Sequence, residues 1–261
     1  MRSEATDEVR VAVAHSERAT LRVGAVFRKV DADQTRVDAE VEAMAPAPVP
    51  TPEVLWRKPP VLALAALPGT TLGRLGGPST GSPAAWAAAG AAIRKPHEAP
   101  LPARTGRVGS GRVGRSIVAL AAELDDECEA LVRNGILPVG LVTRNRQLAE
   151  AALRAWPAAF THGALRIAHV FVDGDEVTGI IDWSEAGRGD ALYDVATFTL
   201  GHEEHLGDVL AGYGADVDVD VIHAWWSLRS LLIVLTVRWL TEHGFDPFAP
   251  GCGVDVPRSR M

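Results

Sequence analysis

The sequence predicts an α+β fold of two lobes, in which a small β-sheet with one helix is followed by a larger, mainly helical lobe. Three observations carry this prediction. Strand-like alternation fills the first part of the chain, helical spacing dominates the rest, and a Leu-Pro-Gly-Thr-Thr-Leu turn separates the two patterns. With 261 residues and 47% hydrophobic content, the chain can bury a sizeable core. We therefore expect an N-terminal lobe at residues 1–66 and a C-terminal lobe at residues 67–261.

The N-terminal lobe is expected to contain a sheet of short strands. Alternating apolar residues bounded by turns predict strands at residues 9–13, 19–23, 25–30, 54–56 and 61–64. The second and third of these form a hairpin around Gly24. This arrangement places Lys29 near the end of the third strand.

A single helix is predicted between the third and fourth strands. Apolar residues recur at near-helical spacing from residue 35 to Met44, and prolines at alternate positions from Pro46 onward end the pattern. The helix carries two acids, Glu40 and Glu42. An acidic side chain is therefore expected on the element that follows Lys29.

The C-terminal lobe is expected to be mainly helical. Helical patterns occur at residues 83–95, 116–133, 144–156 and 220–243. A segment rich in Pro, Gly and Arg, residues 96–114, predicts a loop between the first two helices. Between the third and fourth helices, short apolar segments enclose a polar turn at residues 162–169, and a later apolar run ends in Asp182. A loop mounted on short strands in this way is a common position for reactive side chains.

Charge and cysteine content narrow the class of protein. The net charge of −7 argues against a nucleic-acid partner, and the basic run at residues 104–115 lacks aromatic residues on which bases could stack. Cys128 and Cys252 have no metal-ligand spacing, which is typical of a reducing compartment. The charged N-terminus has no secretory signal, and no apolar run is long enough to cross a membrane. We expect a cytoplasmic protein without a nucleic-acid or membrane partner.

The segment from Gly109 to Gly114 matches the dinucleotide-binding string G-x-G-x-x-G. That site requires a buried strand immediately before the first glycine, and the preceding Pro-Ala-Arg-Thr sequence is not one. The pattern therefore favours a loop.

Two histidines, His202 and His205, flank a pair of glutamates. The spacing is one residue short of the H-E-x-x-H zinc motif, whose histidines lie on the same face of a helix. An exposed helix start is favoured, and a metal-dependent hydrolase is the alternative.

The order of several features indicates a family. A lysine on a strand, an acid on the next helix, a histidine-bounded turn and an aspartate after an Ile-Ile pair follow one another along the chain. In this respect the sequence resembles the aminoglycoside phosphotransferase and choline-kinase-like family, whose catalytic loop reads H-G-D-x-x-x-x-N and whose metal-binding acid lies in an I-D-W or I-D-F segment. The corresponding segments are H-G-A-L-R-I-A-H at residues 162–169, I-D-W at residues 181–183 and G-D-A-L-Y-D at residues 189–194.

The resemblance implies a protein-kinase-like fold and an enzyme that uses ATP and Mg²⁺. It would transfer the γ-phosphate to a hydroxyl of a small molecule, an aminoglycoside-like or amino-alcohol compound. By resemblance, Lys29 would hold the α- and β-phosphates with Glu40 as its partner, in preference to Glu42. Asp182 would bind the metal ion, and Arg166 would lie near the transferred phosphate. Asp190 and Asp194 would support the loop and cap helices.

Two positions depart from the family pattern. Ala164 occupies the place of the catalytic aspartate, so that the base is absent there. His169 replaces the asparagine that would bind a second metal ion, and imidazole suits Zn²⁺ better than Mg²⁺. His162, His169 and Glu185 are candidate replacement bases, and the alternative role of His162 is to hold the turn through backbone hydrogen bonds. A weakly active kinase and a catalytically silent nucleotide-binding pseudokinase therefore both remain open.

Overall fold

The computed structural model describes residues 8–15, 18–74, 77–102, 116–214 and 216–232, together with residues 237 and 241. An antiparallel sheet and one helix form its N-terminal part. The elements are β1 (Val9–His15), β2 (Arg18–Val23), β3 (Val26–Asp31), α1 (Gln34–Met44), β4 (Val54–Lys58) and β5 (Val61–Ala65). The strand order is β1-β2-β3-β5-β4, so that β3 is central and Lys29 pairs with Thr20 on one side and Leu62 on the other.

Helix α1 begins and ends where the sequence predicts. The side chain of Asp33 accepts a hydrogen bond from the backbone N–H of Thr35, which satisfies one of the free donors of the first turn. The helix buries Val37, Met44 and also the charged Glu40. A buried glutamate requires a partner, and this one turns towards β3.

The C-terminal part combines helices with short strand pairs. Its elements are β6 (Thr70–Thr71), α2 (Pro83–Glu98), α3 (Ile117–Arg133), α4 (Val139–Ala149), β7 (Ala158–Thr161), β8 (Val170–Asp173), β9 (Glu176–Ile180), β10 (Gly187–Asp190), α5 (Ala191–Thr199), α6 (Leu206–Tyr213) and α7 (Val219–Leu231). Strand β8 pairs with both β6 and β9, and β7 pairs with β10. The predicted two-lobed α+β architecture is confirmed.

The prediction for the helix at residues 144–156 was wrong at both ends. Helix α4 begins at Val139, directly after Pro138, and ends at Ala149. Proline is well suited to a helix start because its missing N–H has no partner there. A single 3₁₀ turn, Glu150–Ala152, follows α4, and Pro157 disfavours a helical conformation in the residue before it.

Helices α2 and α6 cross at very short range because glycines lie at their contact. A Cβ atom on Gly90 would lie 2.0 Å from the carbonyl oxygen of Val209, and one on Gly212 would lie 1.7 Å from that of Ala87. Helix α7 lies deep in the same core with both of its tryptophans buried. The remainder of the predicted helix at residues 220–243 lies largely outside the described residues.

None of the described helices is both long and apolar enough to span a membrane. Cys128 is a free, half-buried cysteine, and Cys252 lies outside the described residues.

Candidate active site

The centre of the candidate site is a lysine that contacts two acids from distant parts of the chain. Lys29 Nζ lies 2.6 Å from Glu40 Oε1 and 2.9 Å from Asp182 Oδ1. The three residues come from β3, α1 and the segment after β9, respectively. The structure therefore brings together the lysine and the acids that the sequence singled out.

The three charges shift one another's ionisation. Lys29 holds the pKa of Asp182 well below its usual range. Burial lowers the pKa of Lys29, but the negative charges of Asp182 and Glu40 raise it further, so that the net change is upward. Burial also raises the pKa of Glu40, and Lys29 only partly offsets this. At neutral pH, the ammonium of Lys29 therefore pairs with two carboxyl groups, and that of Glu40 is more easily protonated than that of Asp182.

Asp182 adopts a backbone conformation that is rare for a residue with a side chain. Its φ of 67° and ψ of 55° lie in the left-handed region, and it is the only described non-glycine residue with a positive φ. Two hydrogen bonds to backbone carbonyl oxygens hold this turn: Ile181 N–H donates to the carbonyl oxygen of His169 at 3.0 Å, and Trp183 Nε1 donates to that of Ile180 at 2.9 Å. Such strain costs about 1–3 kcal/mol and is concentrated at functional sites.

The ring of His169 lies next to Oδ2 of Asp182, the carboxylate oxygen that Lys29 does not contact. Its Nε2 is 3.6 Å from Asp182 Oδ2, beyond hydrogen-bond range, and its Nδ1 is buried without a hydrogen-bond partner among the described residues. Burial lowers the pKa of His169 to about 3, despite the nearby carboxylate. The ring is therefore neutral near pH 7.

His162 has both ring nitrogens occupied by the backbone. Nε2 lies 2.9 Å from the carbonyl oxygen of Ile181, to which it donates, and Nδ1 accepts a long hydrogen bond of 3.4 Å from the N–H of Ala164. Burial lowers the pKa of His162, and its ring packs between those of His169 and Trp183. This geometry favours the role of holding the turn over that of a replacement base.

Asp194 holds the backbone of the turn at residues 162–163 through its side chain. Its two oxygens accept hydrogen bonds from the backbone N–H groups of His162 at 2.6 Å and Gly163 at 2.9 Å. His97 Nε2 lies 3.1 Å from the same carboxylate, and His97 Nδ1 lies 3.0 Å from the hydroxyl of Tyr213. Burial raises the pKa of Asp194, but these hydrogen bonds and charges lower it overall. His97 and Tyr213 were not predicted from the sequence, because neither belongs to a motif and helix packing alone brings them here.

Asp190 joins the strand pair to the helical core. Its Oδ1 accepts from the N–H of Leu192 and so caps α5, while its Oδ2 accepts from Trp225 Nε1 at 3.0 Å. Both oxygens are therefore committed to positioning.

The two remaining loop positions lie close to this centre. Ala164 is half-buried in the turn, and its methyl group offers neither a hydrogen-bond acceptor nor a base. Arg166, two positions further along the loop, is exposed.

Within the described part of the chain, His202 and His205 do not form the alternative metal site. The rings of His202 and His205 lie 5.3 Å and 4.4 Å from the ring of Trp86, so both histidines pack on an aromatic side chain. Among the described residues, no group of three or more His, Cys, Asp or Glu side chains could hold a metal ion. The glycine string at residues 109–114 lies outside the described residues.

A model of the phosphotransferase enzyme family matches residues 4–226. The chain belongs to this family. The predicted family and the predicted class of enzyme, a small-molecule phosphotransferase, are thereby confirmed. A comparison with curated proteins finds no match.

Solved structures share the kinase-like fold of this family member. The GDP complex of aminoglycoside 2'-phosphotransferase-IIIa is 16% identical, with 99% of this chain and 93% of that chain covered at a TM-score of 0.74. Macrolide 2'-phosphotransferase MphH from Brachybacterium faecium is 18% identical, with 97% and 92% covered at 0.68. A choline/ethanolamine kinase family protein from Mesorhizobium loti is 20% identical, with 99% and 90% covered at 0.66.

Proposed function

We propose that the protein is an ATP-dependent phosphotransferase that transfers the γ-phosphate to a hydroxyl of a small molecule, an aminoglycoside-like or amino-alcohol compound. The contact of Lys29 with both Glu40 and Asp182 is the observation that supports this proposal most directly. Phosphoryl transfer depends mainly on positioning and on neutralising phosphate charge. A lysine held beside a metal-binding acid is suited to both tasks.

In the proposed site, Lys29 binds the α- and β-phosphates of the nucleotide. Glu40 is buried and orients the ammonium from α1. The phosphates of ATP would then take over part of the contact that Lys29 makes with the Asp182 carboxylate. Nucleotide and small-molecule complexes of similar folds, one with GDP and one with ATP and streptomycin, support the choice of ligand classes.

Asp182 fits a hard divalent cation such as Mg²⁺. Its carboxylate is partly exposed, at 28% of the side-chain surface, and Oδ2 is not engaged by Lys29. His169 presents an imidazole beside that oxygen. Imidazole nitrogen is a better ligand for Mn²⁺ or Zn²⁺ than for Mg²⁺. When bound, the cation would supply charge neutralisation at the phosphates.

The proposed lobe boundary follows residue 66, so that Lys29 and Glu40 belong to the N-terminal lobe and Asp182 belongs to the C-terminal lobe. In this proposal His162, Asp190 and Asp194 position the turn, and Arg166 approaches the transferred phosphate. The side-chain hydrogen bonds of the three positioning residues support this assignment.

A catalytically silent nucleotide binder is the second candidate function. Ala164 favours it, because alanine can neither orient nor deprotonate the acceptor hydroxyl. General-base catalysis typically contributes about 10²- to 10⁴-fold in rate, and the metal and phosphate contacts contribute separately. Loss of the base is therefore compatible with either slow turnover or none.

Nucleotide binding is the property that both candidates require. We expect saturating ATP with Mg²⁺ to raise the melting temperature, since a ligand at 100 times its Kd stabilises by about 2.7 kcal/mol. Lys29→Met should abolish this ligand-induced shift. Arg28→Met is the matched control. Arg28 is exposed, and because successive side chains of a strand point to opposite faces, it lies on the face of β3 opposite to Lys29. Wild-type protein without any shift from ATP or GTP would refute both candidates.

A further inference from the structure

Arg229 on α7 has a buried hydrogen-bond donor without an acceptor. Its Nε is buried and has no hydrogen-bond partner in the part of the chain that the structure describes. The guanidinium lies over the ring of Tyr193, with Cζ 5.8 Å from the ring centroid. A buried N–H is rarely left unpaired in a native protein, and an unoccupied ligand site is one explanation.

Tyr193 places this guanidinium beside the turn of the candidate active site. The ring is buried and packs edge-on against Trp225, with centroids 5.0 Å apart. The next residue, Asp194, accepts the backbone hydrogen bonds of His162 and Gly163. Arg229 is therefore one side chain away from the segment that fixes the turn.

Arg166 is a second positively charged residue, two positions after Ala164 in the turn. Partial desolvation, followed by the positive charge of Arg229, lowers the pKa of Arg166, whereas Tyr193 and Asp182 raise it. An anion bound near both positive charges would reduce their mutual repulsion.

The acids on α5 and α7 and at the starts of these helices have other partners or lie far from Arg229. Asp190 caps α5 and accepts from Trp225, and Asp194 holds the turn with both oxygens. Asp218 caps the start of α7. Asp220 and Arg229 are nine positions apart, about 14 Å along a helix at 1.5 Å per residue. None of these four acids is therefore an ion-pair partner of Arg229.

We infer that Arg229 forms a binding site for an oxyanion, a phosphate or carboxylate group carried by the acceptor. This inference rests on the proposed function and narrows its acceptor to small hydroxyl compounds with an acidic group, in particular acidic amino alcohols. Guanidinium groups bind such oxyanions through paired N–H donors. The free Nε of Arg229 supplies one donor of such a pair.

The location favours the acceptor over the nucleotide as the source of the oxyanion. Arg229, Tyr193 and Trp225 all belong to α5 and α7, whereas the proposed nucleotide ligand Lys29 lies on β3. An acceptor bound against α7 would have its acidic group at Arg229 and its hydroxyl directed to the turn.

Inorganic phosphate is the probe for this site. We would measure its Kd by isothermal titration calorimetry, with and without a saturating non-hydrolysable ATP analogue. Arg229→Met should weaken phosphate binding at least tenfold. Arg229→Lys keeps the charge but loses the paired donors, so it should weaken binding several-fold and also serves if Arg229→Met does not fold. Arg144→Met, an exposed arginine on α4, is the control and should match the wild type.

The acceptor site is supported if phosphate still binds in the presence of the ATP analogue and if this binding depends on Arg229. Exclusion of phosphate by the analogue would assign the anion to the nucleotide and overturn the inference. Equal affinities in Arg229→Met and Arg144→Met would overturn it as well. If the analogue itself fails to bind while phosphate binding still depends on Arg229, the proposed nucleotide function fails and the oxyanion site remains.

Discussion

Lys29 Nζ and Asp182 Oδ1 lie 2.9 Å apart, although the two residues are 153 positions apart in the chain. The contact joins the central strand of the N-terminal sheet to a strained turn of the C-terminal part. Glu40 shares the same ammonium at 2.6 Å. Two carboxyl groups around one cation carry an excess negative charge, which a metal ion or a bound nucleotide complex with its metal ion can balance.

The energetic coupling of Lys29 with Glu40 should be large. Removing one partner of a buried ion pair costs about 3–5 kcal/mol, because an uncompensated charge remains. Glu40 is 4% exposed, so Lys29→Met should be strongly destabilising, and adding Glu40→Gln should recover part of the loss. Urea unfolding of both single variants and the double variant would measure a coupling energy of at least about 1 kcal/mol.

The exposed pair of Arg133 and Glu129 provides the control cycle. Its side chains are 63% and 73% exposed, and exposed pairs contribute about 0–1 kcal/mol. Additive effects at Lys29 and Glu40, equal to those of this surface pair, would contradict a tight buried contact.

The stability of the protein should fall in mild acid because of His169. Its pKa is about 3 in the folded protein, against about 6.5 for an unperturbed histidine. Below pH 6.5 the unfolded chain therefore binds a proton that the folded chain does not, and this lowers the free energy of unfolding by up to about 1.4 kcal/mol per pH unit down to pH 3. His169→Asn should flatten this part of the profile.

Urea unfolding at pH 8, 6 and 4.5 would test this prediction. At pH 8 the histidine of the wild type and the asparagine of the variant are both neutral. The measurement at this pH therefore gives the effect of the substitution without any contribution from protonation. The remaining slope in His169→Asn should come from His162, whose pKa burial also lowers, and from the acids. Parallel profiles for the wild type and the variant would show that His169 is hydrated and protonated normally.

The chemistry-bearing residues could be predicted from sequence because local patterns place each of them. Alternation places Lys29 on a strand, helical spacing places Glu40 on the following helix, and an Ile-Ile run places Asp182 at a strand end. Each of these patterns spans fewer than a dozen residues. The long-range contact among them follows from the family fold.

Other parts of the fold depend on contacts that no local pattern records. Strand β6 is only Thr70–Thr71 and exists because it pairs with Phe171 and Val172 of β8. His97 lies at the end of α2, yet its function as a support of Asp194 depends on how α2 packs on α5. Arg229 lies in a largely apolar helix, and no sequence motif identifies it as a binding residue. Such features arise from tertiary packing and are not visible in periodicity.

The crossing of α2 and α6 should tolerate no side chain at Gly212. A Cβ atom there would lie 1.7 Å from a backbone oxygen of Ala87, so Gly212→Ala must push the helices apart. We expect a loss of several kcal/mol in unfolding free energy, at the upper end of overpacking effects. Gly207→Ala on the same helix meets no atom within 4 Å and should be neutral or slightly stabilising. Equal melting temperatures of the two variants would contradict the close crossing.

Ala164→Asp should raise phosphate transfer if the turn otherwise has the geometry of a catalytic loop. Asp194 and His162 hold the backbone of residues 162–164, so a carboxylate at position 164 would occupy a fixed place near Asp182 and Arg166. General-base assistance is worth about 10²- to 10⁴-fold, and the gain should fall in this range.

Transfer from labelled ATP to a panel of aminoglycosides, amino alcohols and hydroxy acids would measure it. Ala164→Asn is the matched control, because the amide has the same shape but cannot accept the proton. A gain in Ala164→Asp alone would mean that the native chain lacks only its base, whereas identical rates in both variants would refute the idea that residue 164 limits turnover.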